Sequence, residues 1–207
     1  MENPGERLVG DYLRYIKGCD FIDFNVYTKL VQGEIDVIGV DHPNKRAYIC
    51  EVVTHLTTGI QYVKNARPDT ADRLIKKFLK DINYGAAAFR DYTVLYMLWS
   101  PVVRRSTIGK PLYDQFAHLT RVGDEIRAKT GVEIQFVTNE AYAEAINELR
   151  AFASCETKEL KSPVMRFLQI EEWCRRNCKN IAKKELKKLG KAQLGFVPGP
   201  ERHPSTQ

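Results

Sequence analysis

Two acids stand where apolar packing does not ask for them. In the stretch from Gly33 to His55, GEIDVIGVDHPNKRAYICEVVTH, Asp36 lies between Ile35 and Val37, and Glu51 lies between Cys50 and Val52. Asp41-His42-Pro43-Asn44 between the two apolar runs has the residues of a tight turn, so the stretch is expected to form a hairpin. Side chains alternate along a strand. Glu34, Asp36, Ile38 and Val40 therefore share one face, and Ala47, Ile49, Glu51, Val53 and His55 share a face of the next strand. Apolar residues occur on both faces of both strands, the pattern of a sheet covered on each side. A carboxylate in such surroundings is costly unless it is paired or coordinates a metal. Two on neighbouring strands repel, and a divalent cation resolves the conflict. Mg²⁺ suits this chemistry, because one or two carboxylates plus substrate phosphates commonly hold it. The alternative for either acid alone is a solvated position at a strand end.

The surrounding elements follow from hydrophobic period and breakers. Leu8, Val9, Tyr12, Leu13 and Ile16 recur at helical spacing, so a helix is expected from about Glu6 to Lys17, closed by Gly18. Phe21 to Val31 is rich in aromatic and β-branched residues and reads as a strand. His55 to Asp69 reads as a polar loop. After it, Asp69 or Thr70 caps a helix from about Ala71 to Asn83, with Leu74, Ile75, Phe78, Leu79 and Ile82 inward and Gly85 ending it. TVLYMLWS, Thr93 to Ser100, is an apolar run stopped by Pro101, as a central buried strand would be. A helix from Pro111 to Gly131, a strand over Val132 to Val137 and a helix capped by Thr138 come next. Ser162-Pro163 opens a last helix expected to pack Val164, Phe167, Leu168 and Trp173.

The Gly-Glu-Ile-Asp-Val-Ile-Gly run, the hairpin and the strand carrying Glu51-Val52-Val53 together resemble the PD-(D/E)XK nuclease superfamily. Ile35-Asp36 stands at its Pro-Asp position, and Glu51-Val52-Val53 at Glu-x-Lys. The order helix, three strands, helix, strand over roughly residues 5 to 137 is the core order of that superfamily. The resemblance implies an α/β, restriction-endonuclease-like core with its sheet flanked by helices, plus C-terminal helices. It also implies metal-dependent hydrolysis of phosphodiester bonds, in which one or two divalent ions supply most of the catalysis. By the same resemblance Asp36 and Glu51 ligate Mg²⁺, with Mn²⁺ as substitute, the backbone carbonyl of Val52 adds an oxygen, and Glu6 on the first helix assists through water. Glu6 has an ordinary alternative as a first-turn acid complementing the helix dipole. Val53 departs from the pattern, since it occupies the place of the lysine. Some members supply that lysine from the following helix. Lys77, adjacent to Phe78, is then the expected replacement, ahead of Lys76 and of Lys64 in the loop. A lysine bordering a buried helix face also has the alternative of reaching out to solvent.

Charge is concentrated at one end. The net charge is +6, and Lys158 to Lys191 holds eleven Lys/Arg against four Glu, so the remainder is close to neutral. A basic block on a balanced protein suggests a polyanion contact, although a solvated helix face also produces charge runs. Lys179, Lys183, Lys184, Lys187 and Lys188, with Arg104 and Arg105 in the loop after Ser100, are the expected nucleic-acid contacts. Five cysteines without framework spacing fit a reducing compartment. Cys174 and Cys178 are one helical turn apart, but the sequence offers no second pair for zinc. His55, about 13 Å along the strand from Glu51, lies too far to share an ion with it but within reach of a bound phosphate, with a structural role at the strand end as the alternative. No apolar run approaches a membrane span and no signal-peptide core opens the chain, so a cytoplasmic protein is expected. The expected organisation is a nuclease-like core over residues 1–155, a basic helical extension over 156–191 and a disordered tail over 192–207. The leading expectation is a Mg²⁺-dependent endonuclease of restriction-like or repair type, acting on DNA in preference to RNA. A double-strand cut by a single-site enzyme would favour a homodimer. The alternative is a degenerate nuclease fold that binds nucleic acid without cutting it.

Overall fold

The computed structural model describes residues 3–28, 31–65, 67–106 and 113–184. Its elements begin with α1 (Pro4–Tyr15), β1 (Phe21–Thr28), β2 (Val31–Asp41) and β3 (Arg46–Val52). Two short strands, β4 (Val63–Lys64) and β5 (Arg67–Pro68), precede α2 (Thr70–Ala88) and β6 (Thr93–Ser100). Then come α3 (Gln115–Thr130), β7 (Ile134–Thr138), α4 (Glu140–Cys155) and α5 (Pro163–Lys184). The fold is α/β. A mixed five-stranded sheet runs in the order β1-β2-β3-β6-β7. The first three strands form an antiparallel meander, and β6 and β7 then join in parallel. Each parallel step needs a crossover, which α2 and α3 supply.

The two faces divide the apolar residues by strand period. Ile38, Ile49, Val53, Leu98 and Ile134 pack with Leu74 and Phe78 of α2 and Leu119 and Val122 of α3. On the other face Val37, Cys50, Val52 and Trp99 pack with Val9 and Leu13 of α1, Leu149 of α4 and Met165 of α5. Every residue of β3 except Arg46 is buried. The hairpin between β2 and β3 closes at the expected turn, where Asp41 accepts from the backbone and side-chain nitrogens of Asn44 at 3.1 and 2.8 Å. The last helix is tied to the first at its start. Buried Ser162 donates to Asp11 Oδ2, and Arg7 Nε donates to Ser162 Oγ at 3.4 Å.

The expected element order holds, with several changes of extent. The first strand stops at Thr28, and Val31 already belongs to β2. The expected polar loop contains the β4–β5 pair. Helix α2 does not end at Gly85 but runs through it to Ala88. Gly85 is there for close approach, since a Cβ at that position would collide with the Tyr96 hydroxyl. Helix α3 begins at Gln115, capped by Asp114, while Pro111 lies outside the described residues. Asn139, not Thr138, precedes α4, and its side chain is spent on the backbone N–H and carbonyl of Val103. Phe167 and Trp173 of α5 do not pack inward: they are 67% and 56% exposed. Residues 192–207 lie outside the described residues. Among the described residues no helix is long and apolar enough to cross a membrane.

Candidate functional site

Asp36 sits where the β2–β3 ladder opens. The last backbone pair at that end is Val37 with Cys50, and beyond it the Val52 N–H donates to Asp36 Oδ2 at 2.7 Å. On the other side of β2, Phe24 pairs with Val37 and Val26 with Ile35, which leaves Asn25 in the left-handed region at φ 52°. Its amide donates to Glu6 Oε2 at 3.1 Å, so α1 is drawn to the same strand end. Glu51 lies on β3, hydrogen-bonded to β6 in the register Glu51–Leu98, and is 0% exposed.

Lys77 meets both acids. Its ammonium donates to Glu51 Oε2 and stands 3.7 Å from Asp36 Oδ1. Helix α2 aims it there because Leu74 and Phe78, on either side, are fully buried against the sheet. One turn further along, Asp81 is also buried, and its carboxyl interacts with that of Glu51. Glu51 Oε1 and Asp81 Oδ2 have no hydrogen-bond partner, an arrangement that a shared proton or a bound cation would relieve.

The electrostatics follow from this packing. Burial, reinforced by the Asp36 charge, pushes the Glu51 carboxyl well above the usual range, and Lys77 offsets only part of it. Burial raises Asp81 to about 7, against the lowering effect of its bond to Glu51 and of Lys77. For Lys77 burial acts downward, but Glu51 and Asp36 outweigh it and hold the ammonium above its ordinary value. Glu6 is raised chiefly by burial, its bond to Asn25 opposing this and the Asp36 charge adding to it.

The structure brings some of the expected residues together and separates the others. Asp36, Glu51 and Lys77 come together, Glu6 stands close enough to Asp36 for their charges to repel, and Val52 enters through its N–H. Val53 is buried in the apolar cluster under α2. Lys76, Lys64 and His55 are exposed, and none of them takes the place that Lys77 holds between the acids. Arg104 donates to the Leu56 carbonyl at 3.1 Å, and Arg105 lies over the Phe116 ring at 4.8 Å. Lys179, Lys183 and Lys184 belong to the backbone of α5, whereas Lys187 and Lys188 lie outside the described residues. The sequence reading missed Asp81, although its signal was the one that marked Asp36 and Glu51: an acid within the apolar period, between Phe78 and Ile82.

The donor set can be tested against metal types. Among the described residues no group of three or more His, Cys, Asp or Glu side chains could hold a metal by itself. That does not suit a structural zinc site, which requires four protein ligands. Two carboxylates, one with an oxygen lacking a partner, do suit Mg²⁺, which keeps waters and substrate phosphate among its ligands. A separate cleft of about 640 Å³ between α4 and α5 includes Glu172, Ile170, Trp173 and Arg176. Its buried acid Glu172 is already paired with Arg175 at 2.8 Å, so it holds no comparable unpaired chemistry. Compared with known proteins, the chain matches no family model and no curated protein.

Proposed function

We propose that the chain is a metal-dependent nuclease on a restriction-endonuclease-like core, hydrolysing phosphodiester bonds of DNA. One observation carries this reading: Lys77 brings an ammonium from α2 to Asp36 and Glu51, where Val53 leaves the strand without one. Asp36 and Glu51 would hold Mg²⁺, and the ion would supply Lewis-acid stabilisation of charge at phosphorus and at the attacking water. The remaining steps belong to the protein. Val52 N–H fixes the Asp36 carboxylate by its Oδ2, leaving Oδ1 toward Lys77 and the ligand. Lys77 exchanges its bond to Glu51 for one to a phosphate oxygen, stabilising the negative charge that builds there as water adds and the bridging P–O bond breaks. The attacking water gives up its proton to solvent, and the leaving oxygen takes one from solvent.

A second reading rests on the same ion pair. Lys77 already neutralises Glu51, so the acids are satisfied in part without a metal, as in a nuclease fold that binds nucleic acid without cutting. Incubating the protein with labelled DNA and RNA in Mg²⁺, Mn²⁺ or EDTA separates the two. Cleavage confined to the divalent ions supports the enzyme. Binding to nucleic acid with intact substrate under every condition replaces it with the second reading.

A further inference from the structure

One stripe of α2 carries more than Lys77. Arg73 lies one turn before it on the same side of the helix, and Arg73, Lys77 and Asp81 follow one another at intervals of four. Arg73 is exposed, and its guanidinium carbon lies over the Tyr62 ring, 4.2 Å from its centre. Among the described residues this is its side chain's partner, and it forms no ion pair.

Tyr62 is itself held firmly. Its N–H donates to buried Thr70 Oγ1 at 3.0 Å, and its carbonyl accepts from Asp69 N at 2.8 Å, which pins the loop before β4 to the start of α2. The ring is half-buried and feels the charges of Lys77, Glu51 and Asp36 as well as Arg73.

Stacking occupies the face of a guanidinium and leaves its edge N–H donors for a planar or tetrahedral anion. Four residues along a helix span about 6 Å, on the order of the separation of successive phosphates along a nucleic-acid strand. We propose that Arg73, held by Tyr62, is an anion subsite that takes the phosphate next to the one at Lys77. This rests on the nuclease reading and deepens it, because it requires a substrate with phosphates on both sides of a nucleoside. Arg73 is a binding residue here, and Tyr62 is a positioning residue that acts through it.

The test measures binding without turnover. Anisotropy of a short labelled duplex, and of one of its strands, is followed across a salt series with Ca²⁺ in place of Mg²⁺. Arg73→Ala is expected to weaken duplex binding several-fold and to flatten the slope of log affinity against log salt by about 0.9, the loss of one phosphate contact. Tyr62→Phe keeps the ring and should bind as wild type, while Tyr62→Ala should weaken binding toward the Arg73→Ala level. Arg90→Ala, at an exposed position beyond the other end of α2, is the control and should leave the slope unchanged. A wild-type slope in Arg73→Ala, or an equal loss in Arg90→Ala, overturns the subsite alone. Wild-type protein that binds neither probe removes the nuclease reading and the subsite with it.

Discussion

Replacing Lys77 by Met keeps the length of the side chain and removes the ammonium that stands between Glu51 and Asp36. Breaking a buried ion pair costs roughly 3–5 kcal/mol if the partner stays charged. Glu51 has an escape, because its carboxyl is already held well above the usual range and takes a proton when Lys77 is gone. The stability loss should therefore stay below that figure and grow as pH rises, because the proton becomes harder to keep. The rate should fall much further. Losing one preorganised donor to a charged transition state costs on the order of a hundredfold, or about 2.7 kcal/mol. Single-turnover cleavage of a labelled duplex in Mg²⁺, with thermal unfolding in EDTA across a pH series, separates the two effects. Lys76→Met is the control, since Lys76 is exposed and lies about 100° around the helix. Equal and small rate changes in both variants would refute the assignment of Lys77.

Two further outcomes follow from neighbouring groups. Asp81 is raised by burial to about 7 and faces Glu51, Lys77, Asp36 and Lys80. The folded protein thus binds more protons than the unfolded chain above the ordinary carboxylate range, and this contribution to stability is lost as pH rises through about 7. Melting temperature in EDTA should fall from about pH 5 to about pH 8, and Asp81→Asn should flatten the fall; an unchanged profile would contradict the burial argument. Ser162→Ala removes a hydrogen bond to the buried Asp11 carboxylate, and should cost about 1–3 kcal/mol in urea unfolding while speeding amide exchange at the start of α5. No change in either would mean that the remaining contacts of α5 hold the helix without this bond.

The parts of the fold that sequence made legible are those in which one physical signal dominates. Alternation around Asp36 and Glu51 foretold a doubly covered sheet, and Ile38 and Ile49 do lie on one face while Val37 and Cys50 lie on the other. Helix α2 was legible through Leu74 and Phe78, but its end was not. Gly85 carries the local signal of a stop, and only the approach of Tyr96 from β6 explains why the helix passes through it. Asn139 was missed for a similar reason, because its amide bonds to Val103, far away in sequence. Exposed Phe167 and Trp173 show the limit of periodicity. An apolar stripe wider than the available neighbours leaves residues outside, and the width of α1 and α4 beneath α5 is a tertiary quantity. In the candidate site the two strand acids were visible as acids in apolar runs. The meeting of Lys77 with them was expected from the resemblance, and no local signal specifies which way a half-buried lysine turns. Asp81 was within reach of the same reasoning, but Tyr62 and Arg73 were not, since their relation depends on how the β4–β5 loop folds onto α2.

If Asp36 and Glu51 form the proposed divalent-metal centre, Lys77 is displaced from it toward substrate. Crystals soaked in Mn²⁺ test this directly, because anomalous scattering locates the ion without assumption. The expected result is an anomalous peak at coordination distance, about 2 Å, from oxygens of both Asp36 and Glu51, with the Lys77 ammonium withdrawn from Glu51. An intact Lys77–Glu51 pair with no peak between the two carboxylates, at Mn²⁺ concentrations that saturate nucleases, would contradict it.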